Sequence, residues 1–143
     1  MTEQPTTRVL SQHIMLACYD TCGRTVDVPT TMSYRHTDPY AVTLTFHSDA
    51  GDVEWVVGRP LLRQGLSSPC GDGDVRMYPS IDTDDRPIAV LDFRSPDGRL
   101  ITEAPHDELQ GFLTRTFAVV PAGTESDHLD MDALIEELLH SAE

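Results

Sequence analysis

Apolar and polar residues alternate with a period of two through most of this chain and change to a helical period only in its last quarter. The clearest stretch is "YAVTLTFHS": Tyr40, Val42, Leu44 and Phe46 point one way, and Ala41, Thr43, Thr45 and His47 the other, as in a half-buried strand. "DAGD" turns the chain into "VEWVVG", where Val53, Trp55 and Val57 share a face, so the two runs predict a β-hairpin. Two strands precede it, Arg8 to Asp20 and Thr25 to Arg35; Pro29 in the second points to an edge or a bulge. Three follow, in "DVRMYPS", "PIAVLDFR" and "RLITEAP", with "SPDG" (Ser95 to Gly98) as a tight turn between the last two. Between the hairpin and these strands, Arg59 to Pro69 predicts one short helix, with Pro60 at its first position and Gly65 just past its end.

From Pro105 the spacing becomes helical. Leu109, Phe112, Leu113, Phe117 and Val120 form one stripe, and Asp107 and Glu108 suit a helix start. After the loop "PAGTESDH", Asp130 caps a second helix with Met131, Leu134, Ile135, Leu138 and Leu139 on one face and Asp132, Glu136 and Glu137 on the other. Both helices are expected to pack on the sheet. The predicted fold is a single α+β domain over residues 1–143, with a sheet of six to seven strands, a short mid-chain helix and two C-terminal helices.

Composition narrows the classes of function. A chain of 143 residues buries enough surface to fold without a disulfide or a metal. Its net charge is −14, and all ten basic residues are Arg. Such a surface repels phosphate backbones and anionic lipid, so neither nucleic acid nor membrane insertion is expected. The odd set Cys18, Cys22 and Cys70, with a polar N-terminus, points to reduced thiols in the cytoplasm.

The chemical motifs fail one by one. "PCGDGDVRMYPS" looks at first like a phosphate- or metal-binding loop. A Walker A loop needs a Lys, which the chain lacks. The dinucleotide fingerprint meets Arg76 where its third Gly belongs. The calcium pattern breaks at Arg76, and again at Arg86 and Pro87 in the second Asp-rich stretch. The loop therefore reads as a turn feeding a strand. His13, His36, His47, His106, His128 and His140 are scattered and read as surface or capping residues. No catalytic, cofactor-binding or metal-binding residues are predicted.

Quoted in chain order, "DPYAVTLTFH", "VEWVVGRPLLRQGLSSPCGDGDVRMYPS", "SPDGRLITEAP", "FLTRTFAVVPAGTES" and "LDMDALIEELL" resemble the SsgA-like proteins of sporulating actinomycetes, from about Val28 to the C-terminus. Cys70 departs from that pattern. The resemblance implies a non-enzymatic regulator or adaptor of sporulation-specific cell division, acting in septum-site selection and septum assembly. It implies recruitment of the tubulin-like division protein FtsZ, or contact with another SsgA-like protein, at the division septum. It also implies a homotrimer of Whirly-like fold, with an antiparallel, β-barrel-like sheet of six to seven strands and the C-terminal helices packed on the sheet and on neighbouring subunits. That fold raises an alternative, a single-stranded nucleic-acid-binding module. The 6% aromatic content and the placement of Trp55, Tyr78 and Phe93 on strand faces weigh against it.

Two surfaces compete as the partner contact. One is the segment from Arg59 to Arg76, where Arg59, Arg63 and Arg76 are among few positive charges and can pair with carboxylates. The other is the terminal helix, whose Leu134, Ile135, Leu138 and Leu139 can dock in a groove.

Overall fold

The computed structural model describes residues 9–20, 22–129, 135–136 and 138–140. Four strands come first: β1 (Val9–Tyr19), β2 (Thr25–Arg35), β3 (Ala41–Phe46) and β4 (Val53–Gly58). Helix α1 (Arg59–Gly65) leads to four more: β5 (Cys70–Asp72), β6 (Val75–Ile81), β7 (Pro87–Ser95) and β8 (Gly98–Pro105). Helix α2 (His106–Val119) and a 3-10 turn (Glu125–His128) follow. All eight strands join one antiparallel sheet in the order β4-β3-β2-β1-β8-β7-β6-β5.

The sheet has eight strands rather than six or seven. The additional one is β5, formed by the start of the "CGDGD" loop, where Gly71 pairs with Arg76 and Asp72 with Val75. Neither Gly nor Asp favours extended structure, so this strand exists only through its pairing with β6. The loop is a hairpin turn, with Gly73 at φ +58°, a conformation Gly adopts without strain.

The sheet curls instead of closing. β1 and β8 share only the pairs Ala17↔Glu103, Cys18↔Thr102 and Tyr19↔Ile101, so two four-stranded halves bend about a short seam. Their inner faces meet: Phe93 on β7 stacks edge-on against Trp55 on β4 at 5.0 Å and against Phe46 on β3 at 5.8 Å. The result is a half-barrel whose edge strands, β4 and β5, are linked in sequence by α1. Helices α1 and α2 cover its concave side. Pro29 lies where β2 has run beyond the pairing with β3, which begins at Thr30. Its missing N–H therefore costs no ladder bond, as for a proline on an edge.

The core follows the predicted alternation. Val42, Leu44, Phe46 and Val57 are buried, as are Leu109, Phe112 and Leu113 of α2, while Phe117 is half-buried. Tyr40 and Val53 depart from it and are exposed. Tyr40 belongs to the turn before β3, and Val53 stands at the corner of an edge strand with no neighbour beyond it. Gly65 is the last residue of α1, not the position past its end, and Leu66 caps the helix in a right-handed conformation. Its requirement is packing. A Cβ on Gly65 would lie 2.4 Å from Met77 Cγ and Sδ, and Met77 is fully buried.

Phe112 is 0% exposed. Phe112→Ala is expected to destabilise the fold by about 3–5 kcal/mol, read as a fall in the denaturant midpoint. An unchanged midpoint would refute the packing of α2 against the sheet.

Candidate interaction surface

Arg59 heads α1 directly after β4, and the fold carries it inward: the residue is 1% exposed. Its backbone N–H donates to the Tyr40 carbonyl at 2.7 Å. Its Nη1 donates to the carbonyls of Thr116 at 3.2 Å and Val120 at 2.8 Å, and its Nη2 to Glu125 Oε1 at 2.9 Å. The guanidinium also lies 4.1 Å from the Phe117 ring centroid and 5.1 Å from that of Tyr34. Every one of these partners suits a cation: the negative end of a helix, a carboxylate and two aromatic faces. The expectation of Arg59 as an exposed positive charge is therefore corrected. It is a buried tie between β4, α1, α2 and the Glu125 turn.

Arg63, one helical turn further on, is exposed. Its guanidinium lies 5.0 Å from the same Phe117 ring. Arg63 and Phe117 form a ridge at the seam between α1 and α2, with an open hollow on each side. One hollow, of about 350 Å³, includes Leu66, His106 and Gln110. The other, of about 410 Å³, includes Pro60, Gln64 and Glu125. His106 donates its Nε2–H to the Leu66 carbonyl at 3.1 Å and so fixes the loop that follows α1. The ridge thus offers a cation and an aromatic edge above mixed polar and apolar walls, a combination suited to an acidic, partly apolar partner.

Arg76 does not join this ridge. It lies on the outer face of β6, opposite Asp92 on β7. Asp92 is only 4% exposed and accepts from Arg99 Nε at 2.9 Å and Nη2 at 2.6 Å, with Arg94 Nη2 at 3.6 Å. The Arg99 hydrogen bonds, against the upward push of burial, hold the Asp92 carboxyl below its usual range. Asp92 is thus paired with Arg94 and Arg99, while Arg76 is its cross-strand neighbour on β6.

The terminal stretch is helical at its described residues, 135–136 and 138–140. Ile135, Leu138 and Leu139 are exposed by 50%, 61% and 64%. Contrary to expectation, these side chains do not pack on the sheet of their own chain. Leu134 lies outside the described residues.

Cys18, Cys22 and Cys70 are free. Burial, with the nearby Asp27, pushes the Cys18 thiol up to about 11, far from a reactive thiolate. Among the described residues no group of His, Cys, Asp and Glu could hold a metal ion. Among the described residues, no helix is long and apolar enough to cross a membrane. The histidines are less scattered than their sequence positions imply: His13 and His47 meet at Thr31 on the outer sheet face. Only the strand register reveals this.

The family model described as "Streptomyces sporulation and cell division protein, SsgA" matches residues 28–125. The chain belongs to the SsgA family. It is 43% identical over 127 residues to the sporulation-specific cell division protein SsgB of Kineococcus radiotolerans, covering 88% of this chain and 77% of the relative. It is 44% identical over 113 residues to SsgB of Streptomyces coelicolor, covering 78% and 82%. Among solved structures, an SsgB whose mutations correlate to longitudinal cell division during sporulation of Streptomyces coelicolor superposes with a TM-score of 0.83. Its identity is 38%, over 89% of this chain and all of that one. The SsgA-like sporulation-specific cell division protein from Thermobifida fusca gives the same TM-score at 34% identity, over 94% and 98%. The ridge residues Arg63 and Phe117 and the buried Arg59 all lie within the matched span of the family.

Removing Arg59 leaves Glu125 without its cation and the Val120 carbonyl without this donor, while the Thr116 carbonyl keeps the Val120 N–H. Arg59→Ala is expected to cost about 3–5 kcal/mol, as when one partner of a buried pair is deleted, measured by urea unfolding. The Glu125 carboxyl is held low first by its own backbone N–H, then by Arg59 and the Gly123 N–H, against burial. A lowered folded-state pKa stabilises above the unfolded value and is lost as pH falls through the folded one. The stability gap between parent and Glu125→Gln should therefore be full at neutral pH and shrink below about pH 5. A gap that grows on acidification would contradict this arrangement.

Proposed function

We propose that this SsgA-family chain is a non-enzymatic adaptor of sporulation-specific cell division. It acts in septum-site selection and septum assembly from the cytoplasmic side of the division septum. Its partner is a division-machinery protein, FtsZ or another SsgA-like protein, and it works as a homotrimer. Membership of a family named for sporulation and cell division supports the class of function. The single observation that carries the mode of action is the Arg63–Phe117 ridge, an exposed cation set on an aromatic ring between two open hollows.

Arg63 is the leading contact residue in this reading. Arg76 and the terminal stripe of Leu134, Ile135, Leu138 and Leu139 provide the second surface. Arg59 acts by holding Phe117 in place and not by touching the partner. The nucleic-acid alternative, which rests on a Whirly-like fold, is less well supported. Phe93 is 1% exposed and cannot stack on a base; Trp55, edge-on against it, is half-buried; Tyr78, contrary to expectation, is exposed; and the net charge of −14 opposes a phosphate backbone.

Arg63→Glu reverses the charge of the ridge while altering only an exposed side chain. It is expected to abolish concentration of a fluorescent fusion at sporulation septa and to fail in rescuing a deletion strain, with melting temperature and oligomeric state unchanged. A variant that still localises and still restores septation would remove the ridge as the contact surface and turn attention to the terminal helix.

A further inference from the structure

On the outer face of the sheet, away from both helices, side chains from β1, β2 and the β3–β4 turn form one chain of polar contacts. The register assembles it. His13 on β1 stands directly opposite Thr31 on β2. Thr31 stands opposite Thr45 on β3, so His47, two residues on, is its diagonal neighbour, a separation an imidazole can span. The His47 backbone N–H donates to the Pro29 carbonyl at 2.9 Å, which keeps this residue alongside β2. The β3–β4 hairpin ends its ladder at Phe46↔Val53, and Asp52 faces His47 one step beyond. The turn between them is tight: Gly51 N–H donates to the Ser48 carbonyl at 3.0 Å, and Ser48 Oγ donates to the Gly51 carbonyl at 2.6 Å. Gly51 has φ +120°, open to Gly without strain.

The direction of each bond follows from chemistry. Asp52 Oδ1 lies 3.1 Å from His47 Nδ1. The carboxylate charge beside Nδ1 favours the proton on that nitrogen, which leaves a lone pair at Nε2. Thr31 Oγ1 lies 2.7 Å from that Nε2, and its hydroxyl therefore donates to it. His13 Nδ1, 3.1 Å from Thr31 Oγ1, donates to the same oxygen. A hydroxyl is thus bonded to a base whose far nitrogen is oriented by a carboxylate. That is the arrangement that activates a nucleophile.

We propose that Thr31 is an activated hydroxyl and a covalent modification site, which takes an acyl group from a small, uncharged activated ester or thioester. Thr31 Oγ1 attacks the acyl carbon as its proton passes to His47 Nε2, and Asp52 steadies the imidazolium. The tetrahedral adduct collapses with cleavage of the donor's C–O or C–S bond. The departing alkoxide or thiolate takes the proton back from Nε2. The products are an acyl ester on Thr31 and a free alcohol or thiol, with His47 neutral again. The site is open to such a donor: the His47 and Asp52 side chains are 38% and 57% exposed. Asp27 and Asp49 line a groove of about 430 Å³ beside His47, and the two carboxylates disfavour an anionic donor.

The test uses the full chain and p-nitrophenyl acetate at neutral pH, read by intact mass and peptide mapping. One acetyl group is expected on Thr31. His47→Gln and Asp52→Asn should each slow its appearance by about 10²-fold or more, within the range of general-base assistance. Thr31→Ser should retain labelling, and the isosteric Thr31→Val should lose it with an unchanged melting curve. Should Thr31→Val fail to fold, the Asp52→Asn rate still decides, because Asp52 is an exposed turn residue. Acetyl confined to the amino terminus or to imidazoles would overturn the proposal. So would acetylation of Thr31 at the parent's rate in both His47→Gln and Asp52→Asn.

Discussion

A single buried guanidinium organises the helical side of this molecule. Arg59 must be taken out of water at the junction of β4 and α1, and an unpaired charge there would be prohibitive. The fold meets that cost with groups of matching character. Glu125 supplies the countercharge, the Thr116 and Val120 carbonyls supply acceptors at the end of α2, and Tyr34 and Phe117 supply their faces. Because these partners come from β2, α2 and the turn after it, the charge cannot be satisfied until all of them are in place. The tie is thus cooperative. It adds a second donor to the Thr116 carbonyl, which also accepts the Val120 N–H, and it holds the Val120 carbonyl just beyond α2, so it fixes where the chain goes next.

Most of the strand architecture was legible because burial is one-sided and the side-chain period of a strand is two. β3 shows it in Val42, Leu44 and Phe46, all buried between half-exposed threonines. "PIAVLDFR" was legible for a different reason. Its near-continuous apolar run marks a strand covered on both faces, and Ile88, Ala89, Val90, Leu91 and Phe93 are all buried. β5 was invisible because its three residues have no intrinsic preference for extension. Arg59 was misread because Arg is rarely buried, and no local pattern tells a surface Arg from one that will meet a carboxylate at Glu125, far along the chain. The positive cluster expected from Arg59, Arg63 and Arg76 dissolved for the same reason: proximity in sequence placed one inside, one on the helix seam and one on the outer sheet face.

The polar chain through Thr31 shows the reverse case, residues far apart in sequence that register makes neighbours. His13, Thr31 and His47 each look unremarkable in their own strand, as solvent-facing partners of buried residues. Antiparallel pairing sets His13 beside Thr31, and the diagonal offset brings His47 within reach of the same oxygen. The signal in the sequence was the alternation itself. Once β1, β2 and β3 are aligned with their apolar faces inward, the outward residues are forced into a shared row, and the short "SDAG" turn leaves Asp52 no place except opposite His47.

Helix α1 then separates structure from exposure within two turns. Arg59, Leu61, Leu62 and Gly65 face the core, whereas Pro60, Arg63 and Gln64 face outward. Arg59 and Arg63 are i and i+4, and so reach the same stretch of surface; here both reach Phe117. The buried arginine pins the ring and the exposed one rests on it, so the outward cation inherits a fixed position from the inward one. A contact surface built this way is preorganised, since the ring that orients Arg63 is already immobilised by folding. Preorganisation lowers the ordering cost of binding, and this is what the proposed contact role of Arg63 draws from an arginine one turn away that holds the fold together.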